Sequence, residues 1–546
     1  MLSSIIAFAR LHPGWTLFFA ALFYRIFTAS FYSQPGYTDA YYYMNSAIQF
    51  WNGKGFRDDY IWNYLARPLP ESVIGNPSHS YWMPFTSWLI AVGYSLTFGE
   101  NFWAGRLPNM LLTALIPPLS YRLGMAVGGI RYGWLAGGLA IFCGFYAPVF
   151  SMPDNHAPYA FISLLFLMLT AEWIKPGSLL PMPRKFIPIA LGLLATIAYL
   201  TRVDGVFLLL VPPLCLLLLK QGINWRGIAL MFGVAALTVI PWNARNFIVS
   251  GQLFPGGGAK TIFLRDYNDF FSFDKPLDLA YYLNITDPSP QWGIGALLMS
   301  KLEALWQNLL IIARPAIIMF TPFALIGLFS RKRSDNSMVA TLYNGALWRN
   351  SLLLPFTVYL LILYIIMSLI FTFPSYRGSV YHSGGGLVPY ISVAIAAGID
   401  LVACWWSKLS RPHAEQNRRN FLAFVVMLGA ILISIGWTLS QSANWDTDYR
   451  ELQQVNEWLD SNTPRGLMVM TPDPTAYWYA NRKPSIIINS DPLDIVLQVA
   501  KRYDARYLLL QPIATPAMTA LYQDKASPGL KYLVTIGTTQ IYQIEP

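Results

Sequence analysis

Charge is what this sequence has least of. Only 12% of its 546 residues are Asp, Glu, Lys or Arg, about half the share that a soluble domain carries. A wholly water-facing surface is not built from so few charges. Cysteine is scarcer still. Cys143, Cys215 and Cys404 each lie in an apolar stretch, so neither a disulfide framework nor a zinc spacing follows. A nucleotide loop is also missing. Gly256-Gly257-Gly258 has no Gly-Lys-Ser/Thr ending and no strand–loop–helix setting.

What is present is apolar. Hydrophobic residues make up 55% of the chain and the mean hydropathy is +0.40. Lipid is therefore the solvent for most of it. Trp, Tyr and Phe reach 15%, which suits aromatic belts at two interfaces. The formal charge of +10 comes from 38 basic and 28 acidic residues. The basic ones fall in short clusters between apolar runs, which argues against nucleic acid and for orientation in an anionic bilayer.

Apolar runs near the spanning length of roughly 20 residues fall at 13–32, 103–123, 132–150, 157–174, 186–200, 205–219, 227–248, 307–329, 351–373, 387–406 and 420–440. This predicts an α-helical polytopic membrane protein with about 11 transmembrane helices. Arg10 precedes the first run, but no small-residue cleavage site follows, so the run reads as a retained helix rather than a signal peptide. The apolar stretch 84–98 is short and reads as interfacial or re-entrant. With the N-terminus inside, the inner loops hold Arg122/Arg131, Lys175/Arg184/Lys185, Lys220/Arg226, Arg331-Lys332-Arg333 and Lys408/Arg411/Arg418/Arg419. Every one is basic, as the positive-inside tendency requires.

The predicted membrane domain covers 1–440, with a long first outer loop at 33–101 and another at 249–306. Beyond it the pattern changes. A helical period over 449–461 is followed by strand-like runs at 467–471 and 486–489, a helix at 492–503, a strand at 506–511 and a closing hairpin around Gly537-Thr538-Thr539. Residues 441–546 thus read as a small extracytoplasmic α/β domain.

The candidate chemistry sits at the outer ends of the spans. Asp39 lies just past the first span, placed to act as a general base or simply to cap a helix. Asp154-Asn155-His156 return to the same face, as a cation site, a base-orienting pair or a polar turn. Asp39, Asp154 and His156 are the candidate ligands for a divalent cation, Mg2+ or Mn2+. Arg106, Arg202, Arg245 and Arg377 lie at outer helix ends, where guanidinium forks can hold a phosphate or snorkel to the interface. Asp204 is close enough to Arg202 to pair with it. Arg25 is an intramembrane charge, and Glu71 and His79 are the likelier site contributors of the first loop.

An ordered set of short motifs then resembles the C-type (GT-C) glycosyltransferases, which include protein O-mannosyltransferases, aminoarabinose transferases and oligosaccharyltransferases. The set runs from Asp39 with Tyr41-Tyr42-Tyr43 through Trp51-Asn52-Gly53-Lys54-Gly55-Phe56 to Phe98-Gly99-Glu100 and Gly105-Arg106-Leu107-Pro108. Asp154, Leu200-Thr201-Arg202-Val203-Asp204 and Pro241-Trp242-Asn243-Ala244-Arg245-Asn246 complete it. The resemblance covers roughly residues 10–250. It implies a GT-C fold and a sugar moved, with inversion, from a polyprenyl-phosphate carrier to an extracytoplasmic lipid, glycan or protein acceptor. It makes Asp39 the catalytic carboxylate and Asp154 the second acidic site, and it implies a bacterial inner-membrane setting. The sequence departs from the pattern in two places: Asp39 is followed by Ala40, not Glu, and a paired acid is missing at Asn155. A membrane transporter or lipid flippase, and a non-catalytic assembly subunit, are the alternatives. A transporter favours ionisable groups at mid-span, whereas the acids here cluster at outer ends.

Overall fold

The computed structural model describes residues 2–65, 69–220, 222, 224–313, 318–329, 346–409, 415–464, 466–512 and 515–545. Arg331-Lys332-Arg333 and Arg411, two of the expected inner-face clusters, lie outside them. The described chain is an integral membrane protein of packed helices that carries one mixed sheet.

Helix α1 (Pro13–Ala29) opens the bundle with proline in its first turn, where the missing N–H costs nothing. Its apolar surface is left largely bare: Trp15, Phe19, Phe23 and Ile26 are exposed, as lipid contact requires. Helix α2 (Thr38–Trp51) is different, with ten of its residues buried. At 14 residues it is shorter than a membrane span. The apolar helix Phe85–Thr97 packs against α2 and against Phe102–Ala114.

Helix α3 (His156–Ile174) is apolar all round and buried along nearly its whole length, the mark of a helix central to its bundle. It packs on Phe102–Ala114, Ile187–Thr201 and Leu354–Leu369. Among the described residues, 7 helices are long and apolar enough to cross a membrane, or 8 if the bent pair Ile130–Ile141 and Gly144–Ser151 is one span. The expectation of about 11 also counted shorter apolar helices such as Val203–Leu218 and Leu354–Leu369. The helix Ile294–Ala313 starts inside the stretch read as an outer loop. Lys301 and Glu303 fall in its first half, which the expected run at 307–329 left in the loop.

Helix α4 (Glu415–Asn462) has 48 residues and is therefore about 72 Å long. A hydrocarbon core is about 30 Å thick, so more than half of α4 extends beyond it. Val455 and Leu459 near its end pack under the sheet with Val469, Tyr507 and Ile541.

The sheet has six strands. In chain order they are β1 (Tyr60–Ile61), β2 (Met468–Thr471), β3 (Ser485–Ile487), β4 (Ala505–Leu510), β5 (Leu530–Ile536) and β6 (Thr539–Ile544). Their spatial order is β1-β3-β2-β4-β6-β5. The first four are parallel neighbours, and the closing hairpin β5–β6 is antiparallel. Helix α5 (Pro474–Asn481) and the helices Leu493–Arg502 and Pro516–Asp524 complete the unit. The strands and the helix expected between 467 and 544 are present. The sheet's edge strand β1 comes from the first loop, more than 400 residues earlier, so loop and C-terminal unit share one core of Ile61, Tyr64, Ile486 and Leu508.

Candidate active site

A cavity of about 330 Å3 opens where α2, the residues before α3 and the segment 367–382 meet. Asp39, Arg202, Asp204, Arg377 and His382 line it, with Asn155 beside them. Its wall is aromatic. Trp62 and Trp82 lie 3.8 Å apart by ring centroids, Tyr81 meets Phe270 at 5.0 Å, and Tyr267 lies parallel to Phe270. Gly258 brings backbone to the rim.

Asp39 sits in the first turn of α2, where the free N–H groups of a helix favour a carboxylate. Its side chain is 24% exposed and lies 3.5 Å from Nε2 of His382. Burial first, and then the charge of Asp154, push its pKa up to about 7, while the Arg202 charge pulls the other way. A carboxyl group poised near neutrality suits a general base at neutral pH.

Asp154 is fully buried and well held. Tyr37 donates its hydroxyl to Oδ2 at 2.5 Å, and the His156 backbone N–H donates to Oδ1 at 2.8 Å. Nδ1 of His156 lies 2.5 Å from the same Oδ2. The His156 ring stacks on His382 at 3.6 Å. Asn155 links α2 to His382: its Nδ2 donates to Tyr43 Oη at 2.8 Å, and its Oδ1 lies 2.5 Å from His382 Nδ1. Asp154, His156 and His382 each offer a ligand atom within 4.8 Å of the others. His156 Nε2 is buried with no hydrogen-bond partner among the described residues. A carboxylate and two imidazoles fit a divalent cation, and nitrogen donors suit Mn2+ or Zn2+ better than Mg2+. Asp39 stands next to this triad through His382.

The four arginines separate. Arg202 Nε donates to Asp204 Oδ1 and to Ser383 Oγ, both at 3.1 Å, and Ser383 also donates to Asp204. The expected Arg202–Asp204 pair is thus present, and both residues face the cavity. Arg377 stacks over Tyr267 at 4.9 Å and points no hydrogen bond at a carboxylate among the described residues. Arg245 does not line the cavity: it donates to the Ser78 carbonyl at 2.8 Å and lies over Trp242 at 5.0 Å. Arg106 is buried, stacked on Trp103 at 3.5 Å, and also stands apart from the cavity. Arg25 is buried inside the bundle, with Nη2 3.4 Å from the Ala140 carbonyl. Glu71 is exposed on the loop, and His79 is buried against the Trp82 carbonyl at 3.2 Å.

Two partners carried no role in the sequence reading: His382 and Tyr37. His382 is one of only five histidines in the chain, and that scarcity, with Arg377 five residues before it, was the available signal.

No protein-family model and no curated protein matches the sequence. Solved structures do match over nearly its whole length. ArnT from Cupriavidus metallidurans, an aminoarabinose transferase solved with undecaprenyl phosphate, is 14% identical, with a TM-score of 0.57 over 97% of this chain and 98% of that one. The Archaeoglobus fulgidus oligosaccharyltransferase, tethered to an acceptor peptide, is 13% identical, with a TM-score of 0.55 over 97% of this chain and 74% of that one. The same oligosaccharyltransferase in complex with Zn and sulfate is 12% identical, with a TM-score of 0.52 over 90% and 67%. The chain has the GT-C fold of these membrane glycosyltransferases.

Proposed function

We propose that this chain is a membrane glycosyltransferase that moves a sugar from a polyprenyl-phosphate carrier to an extracytoplasmic lipid, glycan or protein acceptor. The observation that carries the reading is a single aromatic-walled cavity that gathers one near-neutral carboxylate, Asp39, with the cations Arg202 and Arg377. The shared fold with enzymes that carry undecaprenyl phosphate or an acceptor peptide in their structures supports it.

The chemistry divides between the two charge types. The acceptor oxygen or nitrogen attacks the anomeric carbon as the bond from that carbon to the phosphate oxygen breaks. Polyprenyl phosphate leaves and the configuration inverts. Asp39 takes the acceptor's proton. Arg202 and Arg377 hold the phosphate and offset the charge that grows on it. Arg202 is anchored by Asp204 and Ser383, so its direction is set before the donor arrives. Trp62, Tyr81 and Trp82 offer flat faces to a sugar ring and exclude water from the reacting carbon.

Asp154, His156 and His382 would hold a divalent cation. When bound, it supplies positive charge beside the acceptor and the leaving phosphate. Asn155 and Tyr37 fix the orientation of these side chains. The cavity is assigned to the outer membrane face, with the N-terminus cytoplasmic, on the strength of the basic clusters between spans.

The test is release of free polyprenyl phosphate from labelled polyprenyl-phosphate sugars by purified protein, given candidate acceptors. Turnover in the wild type that is lost in Asp39→Asn supports the assignment. Turnover undiminished in Asp39→Asn discards Asp39 as the base. Lipid transfer between leaflets by protein that turns over no donor would replace the enzyme with a flippase.

A further inference from the structure

Among its contacts with the rest of the chain, the C-terminal sheet unit meets the first turn of α2. Helix α2 has no side-chain cap of its own: its N-cap residue is Tyr37, in extended conformation, and makes no capping bond. An uncapped first turn frays, and Asp39 stands in it. The fastening comes from the far end of the chain. Asp473 divides its two carboxylate oxygens between two helices. Its Oδ1 caps α5, accepting from the N–H groups of Thr475 at 3.0 Å and Ala476 at 3.1 Å. Its Oδ2 accepts the Thr38 hydroxyl at 2.7 Å. The fully buried Thr475 hydroxyl lies 3.2 Å from the Thr38 carbonyl. Tyr41, one turn on, packs on Tyr479 at 5.2 Å, and two turns on Asn45 Nδ2 donates to the Thr475 carbonyl at 2.9 Å.

Thr38 is thus held by its side chain to Asp473, with the Thr475 hydroxyl, which donates to Asp473 Oδ1 at 2.5 Å, beside its carbonyl, and Asp39 is the next residue. We propose that Asp473 is a positioning residue: through Thr38 it holds the first turn of α2, so that the Asp39 carboxylate meets the acceptor at the right distance. The inference rests on Asp39 being the base. It also gives the C-terminal unit a task in the reaction, since α5 belongs to that unit. Displacing a catalytic group by about 1 Å can cost on the order of 100-fold in rate, whereas donor contacts made by Arg202 and Arg377 are untouched by Thr38.

The experiment compares Thr38→Val, Thr38→Ser, Asp473→Ala and Asp39→Asn in the purified full-length protein. Turnover is normalised to the number of sites that bind labelled polyprenyl phosphate. Expected for Thr38→Val and Asp473→Ala is a fall in kcat of about tenfold or more, with KM for the donor within twofold of wild type and Thr38→Ser restoring most of the rate. Asp39→Asn is expected to be inactive. A loss explained wholly by fewer donor-binding sites would make Asp473 a structural cap and overturn the proposal. So would normal kcat in Thr38→Val and Asp473→Ala alongside an inactive Asp39→Asn, which leaves the base in place. Full activity of Asp39→Asn would remove the base assignment and the proposal with it.

Discussion

Asp39 and Asp58 make an instructive pair. Both belong to the first loop, both are pushed up to about 7, and burial is the leading cause for each. There the likeness ends. Asp58 is only 5% exposed and is surrounded by hydroxyls, with Ser46 donating to its Oδ1 at 3.4 Å and Tyr42 and Tyr60 beside it. It lines no cavity. Asp39 opens onto one, with a histidine and two arginines across it. A raised pKa marks desolvation, and access to a substrate marks function. The sharpest way to break this contrast is to neutralise each acid. Asp39→Asn is expected to cost about 1,000-fold in turnover, within the range for a general base. Asp58→Asn is expected to leave turnover within about threefold, because its hydroxyl partners can serve an amide as well. Equal losses in the two variants would show that burial, not access, is what the reaction depends on.

The same contrast has a pH form. A base must be unprotonated, so the rate is expected to be full above the Asp39 value of about 7 and to fall as pH drops through it. At pH 5 the unprotonated fraction is about 100-fold lower than its limit. A profile of kcat/KM for wild type checks this. A rate that stays flat down to pH 5 would put the working carboxyl elsewhere. The arginines give a smaller effect. Arg377→Ala is expected to lower kcat/KM for the donor by about 10- to 100-fold, the range for a charge-assisted phosphate contact. Arg245→Ala, already turned onto the Ser78 carbonyl and Trp242, is expected to change it by less than about threefold. Comparable losses would mean that the donor phosphate reaches beyond the cavity to Arg245.

Position along a span gives the depth of a side chain but not its direction, and that explains what could be read without a structure. Asp39, Asp154, Arg202 and Arg377 were legible because each falls near the end of an apolar run, on the face expected to be outer. Arg106 and Arg245 share that depth, but successive helix residues turn by about 100°, and the turn carries them onto Trp103 and Ser78 instead. His382 and Asn155 meet across 227 positions, a distance at which one sequence carries no signal. The C-terminal strands were legible from their alternation and length. The helices Pro474–Asn481 and Pro516–Asp524 were not, since each is short and opens on proline, which reads as a turn. The two-residue strand β1 becomes a strand only because β3 lies beside it.

Tyr37 offers the finest test, because it touches Asp154 and not Asp39. Its hydroxyl donates to Asp154 Oδ2 at 2.5 Å, and its ring packs on Trp445 of the long helix α4 at 5.1 Å. Tyr37→Phe keeps the ring contact and removes one of several partners of that carboxylate. His156 still supplies a backbone N–H and a ring nitrogen, so Asp154 stays in place. The expected loss in kcat is about three- to tenfold, the share of one hydrogen bond to a charged group when others remain, with melting in detergent unchanged. The added Mn2+ needed for half-maximal turnover is expected to rise with it, since the tyrosine orients a ligand of the candidate cation site. A loss in kcat without that rise would tie Asp154 to the reaction through Asp39's charge alone. No change in either would leave Asp154 a structural acid, and would reduce the working carboxylates of this cavity to Asp39.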